Sequence, residues 1–465
     1  MIVKTLFRQE HRLEVGEVVV KLLPGLPNFH LVGLPDAAIR ECGLKLKSAL
    51  RSCGLAWPRG HQIVVSLRPS HFRKRSAGVD LAIALAYLGA TNQLSAALRE
   101  MIRTHVVYGE LGLDGQVYAP RDISQALRSA TAPVLTGQIG SNLVREGEWR
   151  ELSSLRAKEL KIRATRFSWE RHWQPPEVAD IQIHREAAEA LWLASHLQLG
   201  VLVAGPQGSG KTTWAHALYA LSAVPDPKEL LELADLVGEE ALQLRWRPFE
   251  KPHHTTTPQA MVGGGLPVQP GVISRAHGGV LLMDEFLEFP AMVLEALREP
   301  IENGAIEVAR RGTRVRLPAR FQLIATTNLC PCGRLRPERT FHDCPKRITQ
   351  CRTVVHRLSG ALLDRFDLLI YSHRWLEAGP RVSLHEVKDV VQRMAAFRIR
   401  RPKSQERVPD WIDAFPLSYR RRRSLLRVAR GLADHGECEK VKPEHFARAF
   451  ALVVEPMQEL AQLFA

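Results

Sequence analysis

A chain of 465 residues, 45% hydrophobic and 24% charged, has enough apolar side chains to bury sizeable cores, and its length predicts about three domains. No apolar run approaches the roughly 20 residues that span a bilayer, and the start, with Lys4, Arg8 and Glu10 around a short apolar stretch, lacks the regions of a secretory signal, so a cytosolic protein is expected. A net charge of +15 points to a polyanionic partner or to a solvated basic surface, and seven cysteines in such a chain argue against a disulfide framework, leaving thiols or metal.

Residues 1–168 alternate short strand-like runs (17–23, 29–32, 63–67, 105–108) with an amphipathic helix over 36–52 and a buried helix over 79–89, which predicts an α+β domain. Pro24-Gly25-Leu26-Pro27, Val32-Gly33-Leu34-Pro35-Asp36 and Asp80-Leu81-Ala82-Ile83-Ala84-Leu85 resemble the N-terminal domain of the ComM/YifB family, a magnesium-chelatase-like group. That resemblance implies the Lon/S5-like fold of the Lon protease catalytic domain. Arg75-Ser76-Ala77-Gly78 is similar to the stretch around the Lon nucleophile, and 109–117 to the segment that precedes the Lon lysine base. The matching position here is Ser124, and without a base Ser76 stays protonated near neutral pH, so a non-proteolytic domain is expected.

A linker over 169–176, stiffened by Pro175-Pro176, leads to a core expected over 177–375. Its apolar run 199–204 reads as a strand and 214–221 as a helix, and between them stand Gly205, Pro206, Gln207, Gly208, Ser209, Gly210, Lys211, Thr212 and Thr213. This fills the pattern G-x-x-x-x-G-K-[ST]: glycines let the backbone curl around a phosphate, the new helix adds its positive end, Lys211 reaches the outer phosphates and Thr212 a Mg²⁺ ion. A second apolar strand, 280–283, ends in Asp284, suited to the Mg²⁺ shell, and Glu285, suited to polarising a water. A third, 321–325, runs into Asn328, a candidate to orient that water. Chemistry collected at strand ends in this order predicts a P-loop ATPase with a parallel sheet, the α/β fold class.

Between these motifs, 247–256 with His253-His254, Gly263-Gly264-Gly265 and 270–277 also resemble the family; adjacent histidines do not suit a metal, and substrate-touching insert loops are expected. Residues 307–317 read as a basic hairpin, either a solvated edge or, as the resemblance implies, a projection into a ring pore where Arg310, Arg311 and Arg314 meet DNA. A Cys-rich insert over 329–357 holds Cys330, Cys332, Cys344 and Cys351, a set that could close a tetrahedral Zn²⁺ site or remain reduced thiols.

Leu362-Leu363-Asp364-Arg365-Phe366-Asp367 is again family-like, which implies that Arg365 reaches the γ-phosphate held by a neighbouring subunit; the alternative is an ion pair with Asp364 or Asp367. Helical patterns over 385–401, 418–431 and 443–464 predict an all-α lid spanning 376–465, with Arg420 in the position that would sense the γ-phosphate in cis. Basic residues concentrate there, including Arg420-Arg421-Arg422-Arg423. Taken over nearly the whole chain, the resemblance implies an AAA+ ATPase that uses ATP and Mg²⁺, assembles as a homo-hexamer and works as a helicase or branch-migration motor when single-stranded DNA is recombined into a chromosome. Two alternatives stay open: a chelatase-like motor that remodels a protein, and an ATP-binding scaffold without turnover.

Overall fold

The computed structural model describes the chain except residues 10–11, 70–76, 140–146, 157–160, 166–172, 266–267, 311–312, 331–356, 359, 377, 403–405 and 463–465. The chain divides into two compact units: Met1–Arg171 with Ala234–Gln243, and His172–Leu233 with Leu244–Ala465.

In the first unit, strands Ile2–Gln9, Arg12–Pro24, His61–Arg68 and Phe29–Val32 form one sheet in that spatial order, antiparallel except for the last pair. Alternation along His61–Arg68 turns Ile63, Val65 and Leu67 inward, onto Leu46, Leu50 and helix Asp80–Ala90. That helix is buried from Asp80 to Leu88, which explains why its sequence is apolar on every side. A second sheet orders Lys161–Thr165, Gly147–Glu151, Val134–Thr136 and Val106–Val107. The helix expected over 36–52 forms as Ala37–Arg40 and Cys42–Ser52, with Asp36 Oδ1 accepting from the Ile39 N–H at 2.9 Å at its start.

The second unit is built on five parallel strands in the order Phe249–Glu250, Val280–Met283, Gln322–Thr327, Val201–Ala204 and Leu368–Tyr371. Val201–Ala204, Val280–Met283 and Gln322–Thr327 are buried at every position, as strands covered on both faces must be. The molecule is therefore a mixed α/β protein with a parallel sheet. Helices Arg185–Leu197, Leu384–Arg400, Tyr419–His435 and Pro443–Val453 share one hydrophobic core with these strands. The last predicted helix is interrupted: Pro443–Val453 is followed by Glu455–Gln462, because Pro456 has no N–H to donate and its ring crowds the carbonyl four residues back.

Candidate functional site

At the carboxyl ends of the central strands the backbone makes a cradle. Gly208 and Gly210 take left-handed φ angles of +76° and +81° with open space around them, so conformation, rather than crowding, calls for glycine. Gly205 is required for the opposite reason, since a Cβ there would lie 2.1 Å from Ser372 Oγ. Ser372, just past strand Leu368–Tyr371, also lies 2.5 Å from Ser209 Oγ and so braces the loop from beneath. Helix Lys211–Ala220 starts directly at Gly210, leaving the N–H groups of its first turn without intrahelical partners. Nothing in the local sequence singled out Ser372; its place follows from strand order.

Lys211 Nζ donates to the carbonyls of Gly205 (3.0 Å) and Pro206 (2.7 Å) and to Asn328 Oδ1 (3.0 Å), so the cation already stands at the mouth of the cradle. Burial pulls its pKa below the ordinary lysine value, against the attraction of Asp284 and Glu285. Thr212 Oγ1 is 3.4 Å from both oxygens of Asp284, and Thr326 donates to Oδ1 of the same carboxylate. Burial would raise the Asp284 pKa, but the Thr326 hydrogen bond and Lys251, 3.2 Å away, hold it below the ordinary value. Asp284 is thus ionised and ready for a divalent cation, and the Thr212 hydroxyl beside it is the usual second protein ligand for Mg²⁺ in such a cradle. These residues fit a Mg²⁺ nucleotide.

Glu285 sits in the left-handed region at φ 54°, ψ 47°, a conformation that costs a non-glycine residue about 1–3 kcal/mol and clusters at functional sites. Its N–H donates to Thr326 Oγ1 at 3.3 Å, and its exposed carboxylate has His254 Nδ1 at 3.5 Å. Lys251 and His254 are the neighbours that sequence reasoning missed. The His253-His254 pair was legible only as an insert loop, and Lys251 carried no signal.

Arg365 and Arg420 lie elsewhere. Both line a cleft of about 730 Å³ with Gly200, Gly279, Phe321 and Asp367, the residues that immediately precede four of the parallel strands. Because the strands are parallel, this cleft opens at their amino ends, and Gly205, Asp284 and Asn328 follow their carboxyl ends. The expectation that Arg420 acts in cis does not suit this geometry: its Nη2 donates to the Arg365 carbonyl at 3.2 Å, at the far end of the sheet from Lys211. Arg365 is buried, with Glu295 3.9 Å from Nη2, and Nη1 has no hydrogen-bond partner among the described residues. Burial lowers its pKa, yet a guanidinium remains charged at neutral pH. Ion pairing with Asp364 or Asp367 falls to its neighbours instead, Arg421 reaching Asp364 at 3.6 Å and Arg427 reaching Asp367 at 3.3 Å.

The run Arg420–Arg423 is not one basic patch. Arg421 is buried and donates to the carbonyls of Leu363, Phe366 and Asp367, Arg422 pairs with Asp413, and Arg420 and Arg423 face the cleft. The expected basic hairpin forms from Ala305–Arg310 and Thr313–Pro318, with Arg314 and Arg316 exposed and Val315 and Leu317 buried; the Arg310 side chain and all of Arg311 lie outside the described residues. Cys330 is buried, and Cys332, Cys344 and Cys351 lie outside the described residues. Among the described residues no group of three or more His, Cys, Asp or Glu is placed to hold a metal. Ser76 also falls outside them, and Ser124, in the place expected for a base, is buried in helix Ile123–Ser129. No helix among the described residues is long and apolar enough to cross a membrane.

Residues 177–378 match a family model described as magnesium chelatase, subunit ChlI, and residues 18–138 one described as subunit ChlI of Mg-chelatase. The uncharacterized protein YifB of Escherichia coli is 31% identical over 93% of this chain and 92% of its own length. The competence protein ComM of Haemophilus influenzae is 33% identical over 76% of this chain and 72% of its own. The 38 kDa magnesium-chelatase subunit of Cereibacter sphaeroides is 29% identical over 30% of this chain and 47% of its own.

Proposed function

The chain belongs to the ComM/YifB family of magnesium-chelatase-like proteins, and on that premise we propose that it is an AAA+ ATPase that assembles into a ring and couples ATP hydrolysis to work on DNA. One observation carries the reading: the glycine-rich cradle with Lys211 and a buried arginine nitrogen, unpartnered among the described residues, stand at opposite ends of the same sheet. A single chain cannot bring the two together. A ring in which the amino-end cleft of one subunit faces the cradle of the next can do so, with Arg365 and Arg420 both acting in trans.

In this reading the loop 205–210 and the first turn of helix Lys211–Ala220 bind the phosphates through backbone N–H groups. Lys211 exchanges its loop carbonyls for phosphate oxygen. Thr212 and Asp284 hold the Mg²⁺, which when bound neutralises charge on the transferring phosphoryl group. Glu285 takes the proton of the attacking water, and the Asn328 amide orients it. Arg365 and Arg420 of the adjoining subunit stabilise the charge that develops in the transition state. We read residues 1–168 as a Lon/S5-like domain without protease activity and residues 376–465 as the helical lid.

DNA as the substrate is supported by the net charge of +15, by exposed Arg314 and Arg316 on the hairpin, and by the competence protein among the relatives. The deciding experiment is the ATPase rate with and without single-stranded, duplex and branched DNA. Stimulation by DNA, lost in Arg310→Ala/Arg311→Ala protein with basal hydrolysis retained, is the expected result. An ATPase indifferent to every DNA would select the second reading, a motor that remodels a protein, which the match to magnesium-chelatase subunits favours.

A further inference from the structure

Two stretches of the first unit, Pro24-Gly25-Leu26-Pro27 and Val32-Gly33-Leu34-Pro35-Asp36, take no part in the chemistry above. They flank strand Phe29–Val32, which pairs in parallel with His61–Arg68 and stands last in its sheet. Among the described residues no strand pairs with its other side. The Ile63 N–H donates to the Asn28 carbonyl at 2.8 Å, so in this register the backbone groups of Asn28, His30 and Val32 face the sheet. Those of Leu31, with the Phe29 carbonyl, face outward.

Apolar side chains surround this open edge. Leu26 before the strand is 86% exposed and Leu34 after it 57%, and Val32 and Leu23 are exposed on the outer face of the sheet beside half-buried Val64. Leu34 also holds a φ of 57°, in the left-handed region where glycine or asparagine sits more easily than leucine. Its neighbour Gly33 fixes the turn against the sheet, since a Cβ there would lie 2.3 Å from the Leu67 carbonyl oxygen.

The rim of the edge has one sign. Residues 19–68 hold seven Lys or Arg against two Asp or Glu, and one of the two acids, Asp36, already accepts from the Ile39 N–H. Lys21 and His30 are exposed in the row that crosses the outer face through Val64. On the opposite face, helix Cys42–Ser52 closes on the Phe29 ring at Gly43, where a Cβ would lie 2.7 Å from the ring, and exposed Lys47 follows one turn later on that side.

We propose that the open edge of strand Phe29–Val32 receives an extended acidic segment of a partner protein. The segment adds a strand beside Leu31, covers Leu26, Val32 and Leu34 with apolar side chains and meets the basic rim with carboxylates. Pro27 and Pro35 bracket the strand and keep the pairing short, so the flanking leucines and the rim supply much of the affinity. A second copy of the chain would bring like charge to like charge, and a nucleic acid would answer the rim but offers the edge no alternating backbone donors and acceptors. The inference concerns the first unit alone and stands whether or not the second hydrolyses ATP.

The test is selection of a displayed library of random peptides, about twelve residues long, on the full chain. Enriched peptides should combine Asp or Glu with Val, Ile or Leu. A synthetic copy, followed by fluorescence anisotropy, should bind Leu34→Gly about tenfold more weakly than wild type, and Lys21→Glu/Lys47→Glu about tenfold more weakly at low salt. Leu34→Gly relieves backbone strain rather than adding it, and Leu26→Asp, at a fully solvated position, serves as a second variant. Copies N-methylated at odd or at even positions separate strand pairing from simple apolar contact: one set should lose binding and the other keep it. Loss by both or by neither overturns the added strand. Basic or patternless peptides, no enrichment, or equal binding to Leu34→Gly overturn the proposal, as does self-association of the wild type that Leu34→Gly weakens, which would give the edge to a second copy.

Discussion

The two ends of the central sheet differ in how their charged groups are partnered. At the carboxyl ends, carboxylates, hydroxyls and two lysines converge around a backbone cradle, and the charged side chains are partnered: Lys211 on carbonyls and Asn328, Asp284 on two threonines and Lys251. At the amino ends, Arg365 is buried with a nitrogen unpartnered among the described residues, beside the cleft-facing Arg420 and Arg423. A buried polar group without a partner costs about 1–3 kcal/mol, so the Arg365 guanidinium is held at a cost that an anion from a neighbouring subunit, as proposed above, would relieve. In the proposed ring, the difference would make these ends two halves of one site, facing apart.

The strongest way to break this comparison is to remove one half at a time. Lys211→Ala should lose nucleotide binding, whereas Glu285→Gln should keep it and lower the hydrolysis rate by about 10²–10⁴, since the phosphate and Mg²⁺ groups remain and only the proton acceptor is gone. Equilibrium binding and single-turnover hydrolysis separate the two. Wild-type turnover in Glu285→Gln would take that residue out of the mechanism.

The other half is next in size. Arg365→Ala should cut hydrolysis by about 10³ with nucleotide affinity nearly intact. Mixing it with Lys211→Ala protein should restore part of the activity, because one interface then pairs an intact cradle with an intact arginine. Mixed oligomers that stay inactive at every ratio would count against action in trans.

A smaller effect sharpens the contrast between neighbours on one helix. Arg421→Ala should destabilise the protein by about 3 kcal/mol in urea denaturation, because three backbone carbonyls lose a buried donor. Arg420→Ala should change stability by no more than about 0.5 kcal/mol and act on hydrolysis alone. Equal losses of stability would merge two roles that the structure keeps apart.

The smallest effect is one of pH. The folded-state pKa of Lys211 is depressed by burial, so its charge is present below that value and is lost as pH rises through it. Nucleotide affinity should therefore weaken on the alkaline side before the ordinary lysine range is reached. Asp284, held low, keeps its charge at neutral pH and below, so its contribution to Mg²⁺ binding should fade only as pH falls beneath the usual carboxylate range. Binding isotherms across pH, compared between wild type and Asp284→Asn, check both limbs.

The sequence by itself determined the cradle, the acidic pair and Asn328, because each is a short local pattern attached to an apolar strand, and parallel strands bring their carboxyl ends together whatever the details. It also made the buried helix near residue 80 and the basic hairpin legible through period and composition. Only the tertiary structure decided the rest. Ser372 lies 163 residues from Ser209, and Lys251 and His254 reach Asp284 and Glu285 because strand Phe249–Glu250 pairs beside Val280–Met283, a matter of sheet order that no local signal encodes. The four consecutive arginines are identical in sequence, yet one clamps carbonyls, one pairs with Asp413 and two face a cleft, because a helix turns each side chain about 100° from the last and burial then sets its task.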